Sequence, residues 1–469
     1  MPTILGANSD TGAYDVANSL QFNGQNQYMS RTPGSAGNRR TFTFSAWIKV
    51  RPEATSRALM STGDNSGSND YIMFQSGDKL RFSFGTEGNG DIITDGLFRD
   101  PAAWYHIVWA VDTTQGTASN RVKLYVNGTQ ETNVSGTYPD QNYDTSFNNT
   151  VVQRIGARSY SATQYYDGYM SEINLVDGSQ LDASYFGETN DNGIWVPKQY
   201  TGSYGTNGFF MEFQQTGTSQ NSSGIGADTS GNDNHFAVSA LGANSPALDT
   251  PTNNYCTLNV LYKATTGSTN QPTVTDGMIS VAYVGDSSIQ STFGMASGKW
   301  YFEVRYNSGQ VDGYPQIGYS KSGGINAGEM VGFHTPSGSN YRAKVAGTVI
   351  SNAFDGTISS NDIMGFYMDI DNGTLIVHKN GSDFMGSGAT NGLDFSSTAF
   401  SNDTGFFHVH YNTNANSAHS EDFNFGGAIS FTVSSAESDA NGHGKFEYSP
   451  TIGGVNYYAL NSKNLAEFG

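Results

Sequence analysis

Apolar and polar residues alternate from Arg121 to Val126. Val122, Leu124 and Val126 fall on one face, and Arg121, Lys123 and Tyr125 on the other. That period belongs to a half-buried strand. The preceding run, Trp104 to Val111, is rich in β-branched and aromatic residues and predicts a strand ending at Asp112. Asn127-Gly128 supplies the positive φ angles of a tight turn, so the chain should fold straight back. The alternation returns after Gly298, where Phe302, Val304 and Tyr306 share one face and Tyr301, Glu303 and Arg305 the other. Between Ile363 and Phe384, Asn372-Gly373 and Asn380-Gly381 mark two further hairpins. Helical periodicity is almost absent. A sheet with one apolar face must bury it against another layer, so the pattern predicts an all-β chain of packed antiparallel sheets.

Composition narrows this picture. The chain has 469 residues, room for two or three domains. Lys plus Arg is 23 against 42 Asp plus Glu, a formal charge of −19, which argues against nucleic acid or membrane insertion as partners. Charged residues make up only 14%, while 27 Tyr and 28 Phe offer ample surface to bury, so disorder is excluded. Cys256 is the sole cysteine; no internal disulfide can form, and a small buried hydrophobe is its expected role. Met1 to Asp10 lacks a basic start and an apolar run of signal-peptide length, so the protein is expected to start in the cytoplasm where it is made.

Several segments resemble known families. SLQFNGQNQYMS from Ser19, FTFSAWIKV from Phe42, WYHIVWAVD with NRVKLYVNGT, and RIGAR with YYDGYMSEINLVDG resemble the laminin-G-like, concanavalin A-like lectin/glucanase sandwiches. GKWYFEVRY at Gly298, PQIGYS at Pro315, IMGFYMDIDNGTLIVHKNGSDF at Ile363 and EDFNFG at Glu421 resemble the SPRY domain. The resemblance implies two antiparallel β-sandwich (jelly-roll-like) domains, laminin-G-like then SPRY-like, joined by a strand-containing strap. The expected boundaries are 1–195 for the first sandwich, 196–254 for the strap completing it, 255–430 for the second sandwich, and 431–469 for a C-terminal segment packing on it or docking elsewhere. Across nearly the whole chain, YPDQNYD, FGETNDNGIWVPKQYTGSYGTNGF and ALNSKNLAEFG resemble a group of marine bacteriophage and cyanophage virion proteins. That likeness implies a multicopy or homo-oligomeric virion component exposed on the particle. Its partners would be other virion proteins and a host surface glycan or receptor.

Candidate chemistry points to binding. The Glu-x-Asp-x-Glu motif of sandwich-fold glucanases is absent, as are G-x-S-x-G, H-E-x-x-H and a P-loop. The nearest acid pair, Asp369 and Asp371, sits before Asn372-Gly373 and reads as a turn feature. No enzyme and no cofactor are expected. His408 and His410 share one strand face but supply only two ligands where a closed metal site needs about four. The loop Asp64 to Asp70 offers oxygen ligands for calcium without the spacing of a calcium loop. Sugars pack on exposed aromatic faces fixed by Asn, Asp and Gln. Two loops fit: Tyr138, Asp140, Asn142 and Tyr143 in one, Tyr160, Tyr165 and Tyr166 in the other. By analogy with SPRY loops, Tyr341 and Arg342 are added. The expected function is a phage tail-fibre or appendage protein binding a bacterial surface glycan. The alternatives are a capsid decoration, head-fibre or tail-adaptor protein, and a polysaccharide depolymerase.

Overall fold

The computed structural model describes residues 14–65, 67–85, 90–264, 271–283, 287–307, 314–321, 330–334, 342–397, 405–412 and 419–469. The chain forms two compact units, one ending at Asn253 and the other beginning at Asn254. Both are antiparallel sandwiches, and among the described residues no helix is long and apolar enough to cross a membrane.

The first unit runs β1 (Ser19–Asn23), β2 (Tyr28–Arg31), β3 (Thr41–Val50), β4 (Arg57–Thr62), β5 (Asp70–Gln75), β6 (Lys79–Ser83), β7 (Asp91–Thr94), β8 (Tyr105–Asp112), β9 (Val122–Val126), β10 (Thr129–Glu131), β11 (Val134–Thr137), β12 (Gln153–Ile155) and β13 (Asp167–Asp177). One sheet has the order β10-β9-β8-β3-β13-β1, the other β11-β7-β6-β5-β4-β12-β2. Three later pieces complete them: Phe209–Met211 pairs with β13, Pro246–Ala247 extends β1, and Ala237–Ser239 extends β2. Pieces of residues 209–247 therefore contribute strands to both sheets.

The alternation places the side chains. Val122 and Leu124 of β9 are buried in the core with Phe42, Phe82, Trp109 and Phe147. Phe82 stacks on Phe84 at 4.3 Å and meets Trp109 edge-on at 5.4 Å. Tyr125, on the opposite face of β9, packs on a smaller cluster of Val108, Val176, Phe186, Tyr204 and Phe210. The first sheet is thus covered on both faces. Its outer side also holds His106, whose ring stacks on Trp47 at 4.8 Å and accepts from the Trp195 indole at Nδ1, 3.0 Å. Burial lowers the His106 pKa to about 3. The neutral ring then carries its proton on Nε2 and donates to Ser45 Oγ at 2.9 Å.

Asn127 (φ 46°) and Gly128 (φ 81°) form the two-residue turn between β9 and β10, with Val126 opposite Thr129. A Cβ on Gly128 would lie 2.4 Å from the Trp195 ring, whereas Gly178 (φ 96°) has open space around it. Gly128→Ala is therefore expected to lower stability by roughly 2–3 kcal/mol, from backbone strain and overpacking together. Gly178→Ala should show only the strain, about 1 kcal/mol. Thermal melts monitored by tryptophan fluorescence check this; equal losses at the two sites would refute the overpacking argument.

In the second unit one sheet orders Leu258–Ala264, Ser287–Met295, Gly405–Asn412, Tyr314–Lys321, Met330–His334, Arg342–Val345 and Thr348–Ile350. The other orders Thr273–Thr275, Ser280–Tyr283, His419–Asn424, Lys299–Tyr306, Ile363–Asp369, Thr374–Lys379 and Ser382–Asp383. Phe302 stacks on Phe366 at 4.8 Å and meets Phe407 at 4.0 Å in its core. Asn380-Gly381 makes a two-residue turn between Lys379 and Ser382. Asn372-Gly373 does not: Asp369 pairs with Thr374, leaving a four-residue loop. Asp369 accepts from Asn372 N and Nδ2, and Asp371 accepts from Gly298 N, so the side chains widen the turn. The C-terminal segment packs on this unit. Tyr458–Ala459 pairs in parallel with Lys299–Tyr306, and Phe468 of the last helix, Ser462–Phe468, stacks on Tyr458 at 4.0 Å. Cys256 is buried.

Candidate functional site

The second sheet of the first sandwich turns Met29, Ile72, Phe82, Ile92 and Ile155 inward. Their neighbours along each strand face outward. Register aligns those outward positions into one row: Ser30 lies opposite Arg154, Arg154 opposite Ser61, Ser61 opposite Tyr71, Tyr71 opposite Ser83, and Ser83 opposite Asp91. Five strand pairs thus gather a polar, aromatic belt from residues far apart in the chain.

The loop between β12 and β13 folds back over this belt. Gly156 N donates to Leu59 O and Ala58 N to Gln164 O, stapling both ends of the loop to β4. Within it, Arg158 N donates to Thr163 O and Ala162 N to Arg158 O, which holds the loop closed. Ser159 N donates to Ser61 Oγ, and Asn69 Nδ2 bonds both serine hydroxyls. Arg158 lies over Tyr71, its Cζ 3.9 Å from the ring centroid, and 5.3 Å from the Tyr160 ring. Arg154 lies over Tyr28 at 4.9 Å, and Tyr165 stacks on Tyr28 with centroids 6.4 Å apart. Each such contact contributes roughly 0.5–2 kcal/mol and fixes the plane of the guanidinium. The result is a surface where Tyr28, Tyr160 and Tyr165 stand beside Arg154 and Arg158, over a buried layer of Tyr71, Ser61, Asn69 and Ser159.

Of the residues singled out from sequence, Tyr160 and Tyr165 stand on this platform; Tyr160 is 41% exposed. Tyr166 does not. Alternation turns it inward, where it is fully buried against Phe22 and donates to Lys49 O at 3.0 Å. In the other loop, Tyr138 and Tyr143 pack against the core, and Tyr143 Oη donates to Asp70 at 3.3 Å. Burial pushes the Tyr143 hydroxyl pKa up, with the neighbouring Asp70 charge adding to it. These two tyrosines close the end of the core. Asp140 and Asn142 are exposed in the turn they form, where Asn142 N donates to Thr113 O. Arg342 is half-buried in the second unit, opposite His334. Tyr341 lies outside the described residues, as do the side chains of His408 and His410.

The carboxylates at both ends of the calcium candidate loop accept from backbone amides of other segments. Asp64 accepts from Val152 N at 3.0 Å, and Asp70, whose pKa burial raises, accepts from Ser146 N and Gly85 N. Among the described residues no group of three or more His, Cys, Asp or Glu could hold a metal ion. Asp369 is held by Lys299 and Asn372, and these bonds outweigh burial and lower its pKa. Sequence reasoning missed Tyr28, Tyr71, Arg154 and Arg158. The alternation in QYMSR and QRIGAR shows that Tyr28 and Arg154 face the same way as each other only once the two strands are known to pair. On the second unit, a groove of about 460 Å³ is lined by Ile376, His378, Met385, Val455 and Tyr457, with Val455 exposed.

Residues 23–183 match the family model described as the concanavalin A-like lectin/glucanases superfamily. The match runs from the end of β1 through β13, and over that stretch the first unit is similar to this superfamily. A search of curated proteins finds no match to the chain. Among solved structures, domains LG4-5 of the mouse laminin alpha1 chain are 10% identical, covering 88% of this chain and 89% of that one, with a TM-score of 0.29. The SPRY domain of human HERC1 is 11% identical, covering 34% of this chain and 94% of its own, with a TM-score of 0.26. A putative carbohydrate binding protein from Bacteroides ovatus is 13% identical, covering 50% of this chain and 62% of that chain, with a TM-score of 0.32.

Proposed function

We propose that the chain is a non-enzymatic glycan-binding protein whose first sandwich holds a sugar on the outer face of its second sheet. The observation that carries this reading is the group of accessible tyrosines Tyr28, Tyr160 and Tyr165, beside Arg158 over the buried Tyr71, on a domain matching the concanavalin A-like lectin family. Sugar rings present one apolar face and a polar rim, which suits tyrosine faces flanked by the half-buried Ser30 and Gln164. Among the described residues the outer face of the first sheet is instead covered by the chain's own residues 181–210. The resemblance of YPDQNYD, FGETNDNGIWVPKQYTGSYGTNGF and ALNSKNLAEFG to phage virion proteins supports display on a particle, as a tail fibre or other appendage. Many copies there would raise a modest single-site affinity through avidity. The second reading, a decoration or adaptor protein making protein contacts, draws on the apolar groove beside Val455.

Glycan-array screening of the intact chain tests the binding reading. Tyr160→Ala, at an exposed position, should weaken binding by about fivefold, on the order of 1 kcal/mol, with the melting temperature unchanged. Full binding in a Tyr160→Ala, Tyr165→Ala double variant would place the ligand elsewhere. Antibody labelling of purified virions tests the location: label at the tail tip supports an appendage, and label over the head supports decoration.

A further inference from the structure

We propose that Arg154 and Arg158 make the platform selective for a glycan bearing an acidic group, a carboxylate or a sulfate ester. This deepens the glycan reading and rests on it. The two residues differ from the other arginines of the first sandwich. Arg40, Arg51, Arg57, Arg81 and Arg99 each pair with an Asp or Glu. Arg31, Arg39 and Arg121 donate to backbone carbonyls, closing the chain on itself. Arg154 makes a single bond, Nη1 to Arg158 O at 2.9 Å. Arg158 donates only to two neutral amides, Asn69 Oδ1 at 2.7 Å and Gln164 Oε1 at 3.0 Å. Among the described residues neither has a carboxylate partner, and the Nε of each finds no acceptor.

Leaving guanidinium donors unmatched costs free energy. It is the more unexpected in a chain with 42 acidic residues to 23 basic ones, where a neutralising carboxylate is easily come by. Both side chains are part-exposed and lie over Tyr28 and Tyr71, each also held by a hydrogen bond, so they are positioned before any ligand arrives. An anionic group gains charge-assisted hydrogen bonds there that a sugar hydroxyl cannot match. The overall charge of −19 meanwhile repels an extended polyanion. The fitting ligand is therefore a short or branched glycan with an isolated acidic residue, its neutral rings on the tyrosines.

The test is calorimetric titration of the full chain with three sets of oligosaccharides of matched length: neutral, uronate-bearing and sulfated. At least one acidic set should bind about tenfold more tightly than the neutral set, and comparing the two acidic sets identifies the group. Arg154→Gln, which leaves the side-chain bonds of Arg158 in place, should cost the acidic set about tenfold more affinity than it costs the neutral set, abolishing the preference. An unchanged melting temperature and near-ultraviolet circular dichroism would show the loop intact. Neutral sugars bound as well as acidic ones, with Arg154→Gln indistinguishable from the parent, would overturn acid selectivity and leave the glycan reading standing. No binding to any set would overturn both.

Discussion

Lys49→Met should lower the stability of the first sandwich by roughly 3–5 kcal/mol, the largest single loss expected in this unit. Lys49 on β3 and Asp249 near the end of the strap are both buried, with Nζ and Oδ2 2.7 Å apart. Asp249 also accepts from the Trp104 indole at 3.0 Å, and its carbonyl accepts from Ser19 Oγ at 2.6 Å. Removing the ammonium leaves a carboxylate in an apolar interior with its charge uncompensated. Replacing both members is much less costly than replacing one. Lys49→Met with Asp249→Asn, which keeps the acceptor for Trp104, should therefore recover most of the loss. Urea unfolding of the three variants measures it. A double variant no more stable than the single one would mean that lost packing, and not the stranded charge, sets the cost.

Glu421→Gln should have an effect that depends on pH. Glu421 lies in His419–Asn424, in register with Val281 and Tyr306, and is fully buried. Among the described residues neither carboxyl oxygen has a hydrogen-bond partner. Burial first, and then the adjacent Asp422 charge, raise its pKa from 4.5 to about 8. A carboxyl with a raised folded-state pKa holds its proton in the folded chain after the unfolded chain has lost it. Its contribution is intact below about pH 4.5 and disappears as pH rises through about 8. At about 1.4 kcal/mol per pKa unit, the parent should lose on the order of 5 kcal/mol across that window. Glu303, raised to about 7, and Glu172, raised to about 8, act in the same direction. Glutamine cannot ionise. The variant should match the parent at pH 5 and unfold at a clearly higher urea concentration at pH 8. Parallel pH profiles for the two proteins would sink the argument.

The strands and tight turns were legible because they are local. Val122, Leu124 and Val126 alternate whatever lies beside them, and Asn127-Gly128 adopts φ angles few other dipeptides tolerate. The Asn372-Gly373 loop departed from expectation because Asp369 and Asp371 bind the backbone around it. The platform was half-legible. Tyr160 and Tyr165 stand out as loop aromatics, yet adjacent Tyr165 and Tyr166 point opposite ways, and only the approach to β13 decides which is buried. Tyr28, Arg154 and Tyr71 come from three strands, and local pattern carries no record of which strands pair. Nor does it show that residues 181–210 cover one outer face and leave the other open.

The pairing of the strap with the opening strands constrains how the chain reaches its fold. β1 and β2 find their outer neighbours in Pro246–Ala247 and Ala237–Ser239, and the Lys49–Asp249 bond spans 200 residues. On the ribosome, β1 and β2 would lack these outer neighbours until residue 247 leaves the exit tunnel, by which time β3 to β13 have long been available. Contacts of such separation are slow to form and late to be rewarded. The first sandwich should thus mature in a single delayed step at the end of its own synthesis, with open edges in the interval that other copies of the nascent chain can pair with.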